Sequence, residues 1–267
     1  SLYGYAHPVR ATGQRANYIS KRRDFSVMQV SQETILMFGG RAQANNVGMS
    51  ELIEITFSNS TDGYQINRIT MPASKKKSYS NSFDEDPVLW PRGRFGHSAC
   101  NINGNMYVFG GQDGNQFLCD LHVFDISTKK WTEIILDGIV PHPVAFHGAF
   151  SPTMHYIYVY GGIHQTSVFN NLYRYDVGNK KWDVIKVLGH GQSVNSSAKE
   201  MQVNLYAHTP IITGTKAIIL GGNNGSAVMP ETRVLHELYE QGDEILLCKY
   251  LKEKRQDNFL CDVKFNI

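Results

Sequence analysis

Four Gly-Gly pairs, each closing an apolar run, constrain this chain more than any other feature. They are Gly39-Gly40, Gly110-Gly111, Gly161-Gly162 and Gly221-Gly222. The runs before them are Ile35-Leu36-Met37-Phe38, Met106-Tyr107-Val108-Phe109, Ile157-Tyr158-Val159-Tyr160 and Ala217-Ile218-Ile219-Leu220. The pairs are spaced 71, 51 and 60 residues apart. A fixed period of this size marks an array of supersecondary units, none of which can bury its own faces alone. The longest interval contains an insertion, residues 71–91, with Lys75-Lys76-Lys77 and a Ser/Asp/Glu tract. Without its roughly 20 residues that interval returns to the common period.

Other markers recur at the same offsets. A His with a small neighbour stands about a dozen residues before three of the pairs, at His97, His147 and His208. After the second and third pairs comes a strand ending in an acid, Asp125 or Asp176, then a turn, then a Trp. Trp131 and Trp182 are 51 residues apart, as are their Gly pairs. The first unit lacks the His and the Trp, and the fourth lacks the Trp and the Asp. The pattern predicts four-stranded antiparallel sheets stacked face to face around an axis. In such a unit the Gly pair lets the chain pass close to a neighbouring sheet where a Cβ would clash. The Trp packs between adjacent sheets, and the acid accepts hydrogen bonds from the turn that follows it.

These markers, over residues 21–243, resemble the kelch repeat. The resemblance implies an all-β fold, a kelch-type β-propeller of four-stranded blades over residues 1–242. Kelch rings close with five to seven blades, and only four Gly pairs are visible here. Degenerate blades within residues 1–20 and the insertions, or a ring completed elsewhere in a longer protein, both remain open; six blades are expected for the whole. From residue 243 the pattern changes. Ile245, Leu246, Cys248 and Leu251 fall at helical offsets, and Phe259-Leu260-Cys261-Asp262-Val263 alternates like a strand. This segment, 243–267, resembles a linker helix and the first strand of a BTB domain, in the order found in the leucine-zipper-like regulator family of kelch–BTB proteins. A closing strand and linker is the alternative reading.

Lys plus Arg total 26 and Asp plus Glu 24, a net charge of +2, which argues against a nucleic-acid binder held by phosphate neutralisation. No run of 18 apolar residues exists, so no membrane span is expected. Cys100, Cys119, Cys248 and Cys261 show no C-x-x-C spacing and read as reduced thiols. Residues 1–20 show no apolar core of a signal peptide, so a cytoplasmic or nuclear setting is expected. The ten histidines show no H-x-x-x-H spacing, and those at equivalent repeat positions belong to separate blades; no metal and no cofactor are expected. There is no G-x-S-x-G, G-x-G-x-x-G or P-loop, so the chain is read as a non-enzyme.

A binding surface remains. In kelch adaptors the Arg three residues before the repeat His points into a central rim pocket, and the resemblance places Arg22 and Arg94 there. Residues just after the Gly pairs share that rim: Arg41, Gln112, Asp113, His164, Asn223 and Asn224. Such a set favours a polar or acidic partner segment through charge-assisted hydrogen bonds. Phe117, Phe169 and Met229 are candidate exposed anchors. By resemblance, the partner is a protein, with a Ras-type small GTPase as one candidate. The BTB-like start adds a cullin ubiquitin ligase as a second partner and dimerisation through the BTB fold. The alternative is a kelch scaffold or signalling regulator without a ligase role.

Overall fold

The computed structural model describes residues 10–11, 19–42, 46–57, 63–69, 90–185, 204–213, 216–229 and 232–235. Strand β1 (Arg10–Ala11) precedes blade 1, formed by β2 (Ser26–Gln29), β3 (Thr34–Phe38), β4 (Leu52–Phe57) and β5 (Gly63–Ile69). Blade 2 comprises β6 (Ser98–Ile102), β7 (Asn105–Gln112), β8 (Phe117–Asp125) and β9 (Lys130–Ile134). Blade 3 comprises β10 (Gly148–Phe150) and β11 (Tyr156–Tyr160), then a small projecting hairpin, β12 (Ile163–His164) with β13 (Ser167–Val168), then β14 (Leu172–Asp176) and β15 (Lys181–Ile185). Blade 4 has three described strands, β16 (Thr209–Thr213), β17 (Lys216–Leu220) and β18 (Thr232–Leu235). Within each blade the strands pair antiparallel in chain order. The first strands of successive blades sit side by side, β2 on β6, β6 on β10 and β10 on β16.

This is the all-β blade architecture expected from the repeat. Arg10 and Ala11 form β1, which runs parallel along the outer edge of β5. Residues 243–267 and residues 71–89 of the insertion lie outside the described residues, and with them the expected linker helix and BTB-like strand.

Alternate residues of each strand face opposite neighbours, so each blade has a forward face and a reverse face. Met28, Leu36, Phe38 and Leu52 of blade 1 pack on Met106, Val108, Phe124 and Trp131 of blade 2. One blade on, Cys100, Phe109 and Leu121 pack on Ile157, Val159, Tyr175 and Trp182. The third interface joins Phe150, Tyr158, Tyr160 and Leu172 to Ala217 and Ile219. Trp131 lies 5.1 Å from Phe38, and Trp182 5.0 Å from Phe109. Each indole thus covers the aromatic ring just before the preceding blade's Gly pair, as the spacing predicts.

The backbone repeats this coupling. The second glycine of each pair, Gly40, Gly111 or Gly162, donates its N–H to the carbonyl of Arg94, Val144 or Leu205 in the next blade, at 2.9, 2.8 and 2.8 Å. Those three residues donate back to the carbonyls of Met49, Leu118 and Phe169, at 3.0, 3.1 and 3.0 Å. Each junction is a two-bond latch. Its glycines hold positive φ, and a Cβ on Gly161 would lie 2.2 Å from the Leu205 carbonyl oxygen. A second ladder links residues in the left-handed region just before each first strand. Gly96 N–H donates to Asp24, Phe146 to Gly96 and Ala207 to Phe146, at 2.9, 2.6 and 2.7 Å.

The repeat histidines add a third tie. His97 Nε2 shares a 2.8 Å hydrogen bond with Ser26 Oγ of the preceding blade, and His147 Nε2 does the same with Ser98 Oγ. At the next junction Gly148 replaces the serine, since a Cβ there would lie 2.5 Å from His208 Nε2. Burial pushes His147 down to about 3, with His208 adding, and pushes His208 down to about 4. His97 is held well below 6.5 by burial, then by the Arg94 charge.

These groups protonate near 6.5 in the unfolded chain and resist protonation in the folded one, so the unfolded state binds more protons below that pH. Stability therefore falls as pH drops from about 6.5 towards the folded values, at up to about 1.4 kcal/mol per pH unit for each histidine. Urea unfolding at pH 7.5 and 5.0 is expected to give a lower midpoint at 5.0, and His147→Gln to flatten the difference. Trp182, with no exposed surface, is expected to cost about 3–5 kcal/mol on change to Ala in the same assay.

Candidate functional site

Because strands alternate in direction, the loop entering each first strand and the loop after each Gly pair lie at the same end of the sheets. All eight expected rim residues are carried by these loops or the strand ends beside them. The structure brings them to one end and then divides them by role.

Arg94 is fully buried. Its guanidinium makes a bidentate pair with Asp120, at 2.7 and 2.8 Å, and donates to the Gly110 carbonyl at 3.1 Å. His122 Nε2 lies 2.8 Å from the same carboxylate. Burial alone would raise the Asp120 carboxyl; hydrogen bonds from Arg94 and His122 outweigh it and hold the group well below the usual carboxylate range. Arg22 repeats the arrangement in blade 1. Its side chain is 1% exposed, pairs with Glu51 and donates to the Gly39 carbonyl at 3.1 Å. The expectation that Arg22 and Arg94 point into a rim pocket is therefore corrected. Both tie the entering loop to the second and third strands of their own blade. Blade 3 has Val144 and Asn171 at the corresponding positions, so charge disappears from both partners together.

The remaining candidates shape the loops. Arg41 holds Asp24 at 2.7 Å and Asn46 at 2.8 Å, and lies over the Phe95 ring at 4.2 Å. Gln112 pairs through its backbone with Phe95. Asp113 accepts from the Asn115 and Gln116 amides at 2.8 and 2.9 Å and from Arg92 at 3.3 Å. Against the pull of burial, these bonds keep its carboxyl below its ordinary value. His164 Nδ1 lies 2.8 Å from the Pro143 carbonyl, and its ring stacks on Phe117 at 4.6 Å. Asn223 accepts from Gly225, and Asn224 from Ser226 and Ala227, closing the tight loop of blade 4.

Phe117, Phe169 and Met229 are half-buried rather than exposed tips, because Phe169 stacks on His142 and Met229 joins the core between blades 3 and 4. Among the described residues, exposed cations in these loops include Arg23 and Arg92, with side chains 58% and 55% exposed. Sequence reasoning passed over both in favour of their neighbours Arg22 and Arg94. An acid just before the third-strand leucine that pairs with Phe38 or Phe109, Glu51 before Leu52 or Asp120 before Leu121, was the signal that Arg22 and Arg94 are internally paired. Blades 3 and 4 present a different sector at this end, with exposed His142, Ala207 and Val228 and half-buried Phe146 and Tyr206. Among the described residues no three His, Cys, Asp or Glu side chains converge as a metal-ligand set.

The KLHDC2/KLHL20/DRC7 Kelch-repeats domain matches residues 7–222. The chain is 25% identical over 164 residues to acyl-CoA-binding domain-containing protein 4 of Arabidopsis thaliana, covering 58% of this chain and 23% of that one. It is 31% identical over 153 residues to host cell factor of Drosophila melanogaster, covering 56% and 10%. It is 26% identical over 145 residues to kelch domain-containing protein 10 of Homo sapiens, covering 51% and 30%. The matches thus span 30% or less of these relatives' own lengths.

Removing one partner of a buried ion pair costs about 3–5 kcal/mol, because the other charge is left uncompensated. Arg94→Ala is expected to lose stability on that scale in urea unfolding. The double variant Arg94→Val/Asp120→Asn, which copies blade 3, is expected to recover most of the loss.

Proposed function

Because this chain belongs to the kelch-repeat domain family, we propose that it is a non-enzymatic protein-interaction module that seats a partner segment at the Gly-pair end of its blades. The observation that carries this reading is the division of that end into two sectors. Arg23 and Arg92 stand exposed over blades 1 and 2, and aromatic and apolar groups stand over blades 3 and 4. A segment with acidic residues at one end and an apolar side chain at the other matches both sectors. Each exposed Arg offers charge-assisted hydrogen bonds to a carboxylate, and a nearby apolar contact supplies burial.

The finer reading is a substrate-recognition adaptor of a cullin ubiquitin ligase, working in the cytoplasm or nucleus. Its support is the BTB-like sequence of residues 243–267, which adds dimerisation and a cullin to the partners. A Ras-type GTPase is a candidate substrate through the same family resemblance.

The test is affinity capture with quantitative mass spectrometry, comparing the parent protein with an Arg23→Glu/Arg92→Glu variant. The expected result is co-purification of a cullin with both forms and loss of one specific protein from the variant. Retention of every partner by the variant would remove the basic sector from the site. Absence of any cullin would leave a scaffold without a ligase role.

A further inference from the structure

Two residues before the first strand of each blade the chain takes the left-handed conformation, at Asp24, Gly96, Phe146 and Ala207, with φ of 60°, 62°, 58° and 55°. Glycine adopts it freely, and Asp and Ala are small; a bulky ring is the poorest choice. The backbone leaves Phe146 no alternative. Its N–H donates to Gly96 and its carbonyl accepts from Ala207, at 2.6 and 2.7 Å. On one side Ala145 exchanges hydrogen bonds of 3.0 and 2.9 Å with Ile163, and on the other the buried His147 shares one with Ser98. These ties fix the conformation whatever side chain stands there, so the fold does not ask for an aromatic at this position. A costly residue held by over-determined surroundings points to a use outside the fold. The Phe146 ring, half-buried, leans back across the junction onto blade 2. It covers Gly96, on which a Cβ would meet the ring at 3.0 Å, and its centroid lies 6.4 Å from that of Phe95. Phe95 in turn lies under the Arg41 guanidinium at 4.2 Å, and Arg41 is joined to Arg23 by two backbone bonds of 3.0 and 2.9 Å. The ring of blade 3 therefore stands on the boundary with the basic sector.

We propose that Phe146 is the apolar anchor of the partner site, and that its ligand is a short extended segment of a partner protein that lays a large apolar or aromatic side chain on this ring and a carboxylate on Arg23 or Arg92. The proposal rests on the reading of this end of the blades as the partner-binding site and names the side chains that the segment must carry. Charge chooses the acid, because the Arg23 and Arg92 side chains are 58% and 55% exposed. The ring chooses the apolar residue, since aromatic faces pair best with other rings and with apolar side chains. The row from Arg23 through Arg41 and Phe95 to Phe146 is continuous. An extended segment advances about 3.3 Å per residue, so the acid and the apolar residue stand within about three residues of each other.

The test is a random-peptide phage library panned on the full-length protein, followed by fluorescence anisotropy of the enriched peptides. Enriched sequences are expected to share an acid within about three residues of Phe, Tyr, Trp or Leu. Phe146→Gly is expected to weaken their binding at least about tenfold, with the melting temperature unchanged or raised, because glycine suits this backbone. Phe146→Asn, which also tolerates the left-handed region, is expected to lose binding likewise, and Phe146→Tyr to keep it. Peptides that lose affinity for the Arg23→Glu/Arg92→Glu variant but not for Phe146→Gly overturn this proposal and leave the site at this end of the blades. Peptides indifferent to both variants overturn the proposal and the site together. A marked fall in melting temperature in both Phe146→Gly and Phe146→Asn assigns the ring to packing and overturns the proposal, as does a panning that enriches no acidic-apolar sequence.

Discussion

At each of the three described junctions a pair of glycines lets one blade approach the next: a Cβ on the first would meet the neighbouring blade's carbonyl, and a Cβ on the second would meet the entering loop of its own blade. The second glycine of the pair aims its N–H across the junction, and the first leaves room for the carbonyl that accepts it. Side-chain packing follows from that approach. Once the backbones are in contact, the aromatic ring before the pair is close enough for the next blade's tryptophan to cover it, and the histidine reaches back to the preceding serine. Backbone bonds, indole packing and the His–Ser contact are three consequences of one geometric permission.

Because the junctions are made largely by backbone, the loops at the same end can vary in side chain without loosening the array. Blade 1 and blade 2 place buried, paired arginines inside and exposed arginines, each beside a loop acid, outside; blade 3 has valine and asparagine at the inner positions and aromatic rings in the loops. The inner pairs are constrained by burial, since Asp120 and Arg94 compensate each other out of water. The outer residues carry no such constraint, which is why partner recognition is assigned to Arg23, Arg92 and the aromatic sector.

The blades were legible in the sequence because their determinants are periodic. Gly pairs, Trp131 and Trp182, and the acids Asp125 and Asp176 sit in the structure where their spacing places them, and Asp125 accepts from Ser127 and Thr128 as a turn-capping acid should. The site was only half legible. Position in the repeat brings all eight candidates to one end, but it does not say which side chains face water. Arg22 and Arg94 read as binding residues until their acids, Glu51 and Asp120, are counted as partners. Those acids are 29 and 26 residues away, a distance that only the folded blade closes. Asn223 and Asn224 were similarly ambiguous, because an Asn that shapes a turn and one that grips a ligand look alike in sequence.

The central claim is that the glycine pairs are required for close approach between blades and not merely for a left-handed backbone. Equilibrium unfolding of Gly161→Ala beside Gly104→Ala separates the two. Both glycines have positive φ, 65° and 73°, but a Cβ on Gly104 meets nothing within 4 Å, whereas on Gly161 it falls 2.2 Å from the Leu205 carbonyl. Gly104→Ala should therefore lose only the backbone term of about 1 kcal/mol, and Gly161→Ala at least about 2 kcal/mol more. Equal losses at the two positions would contradict the account.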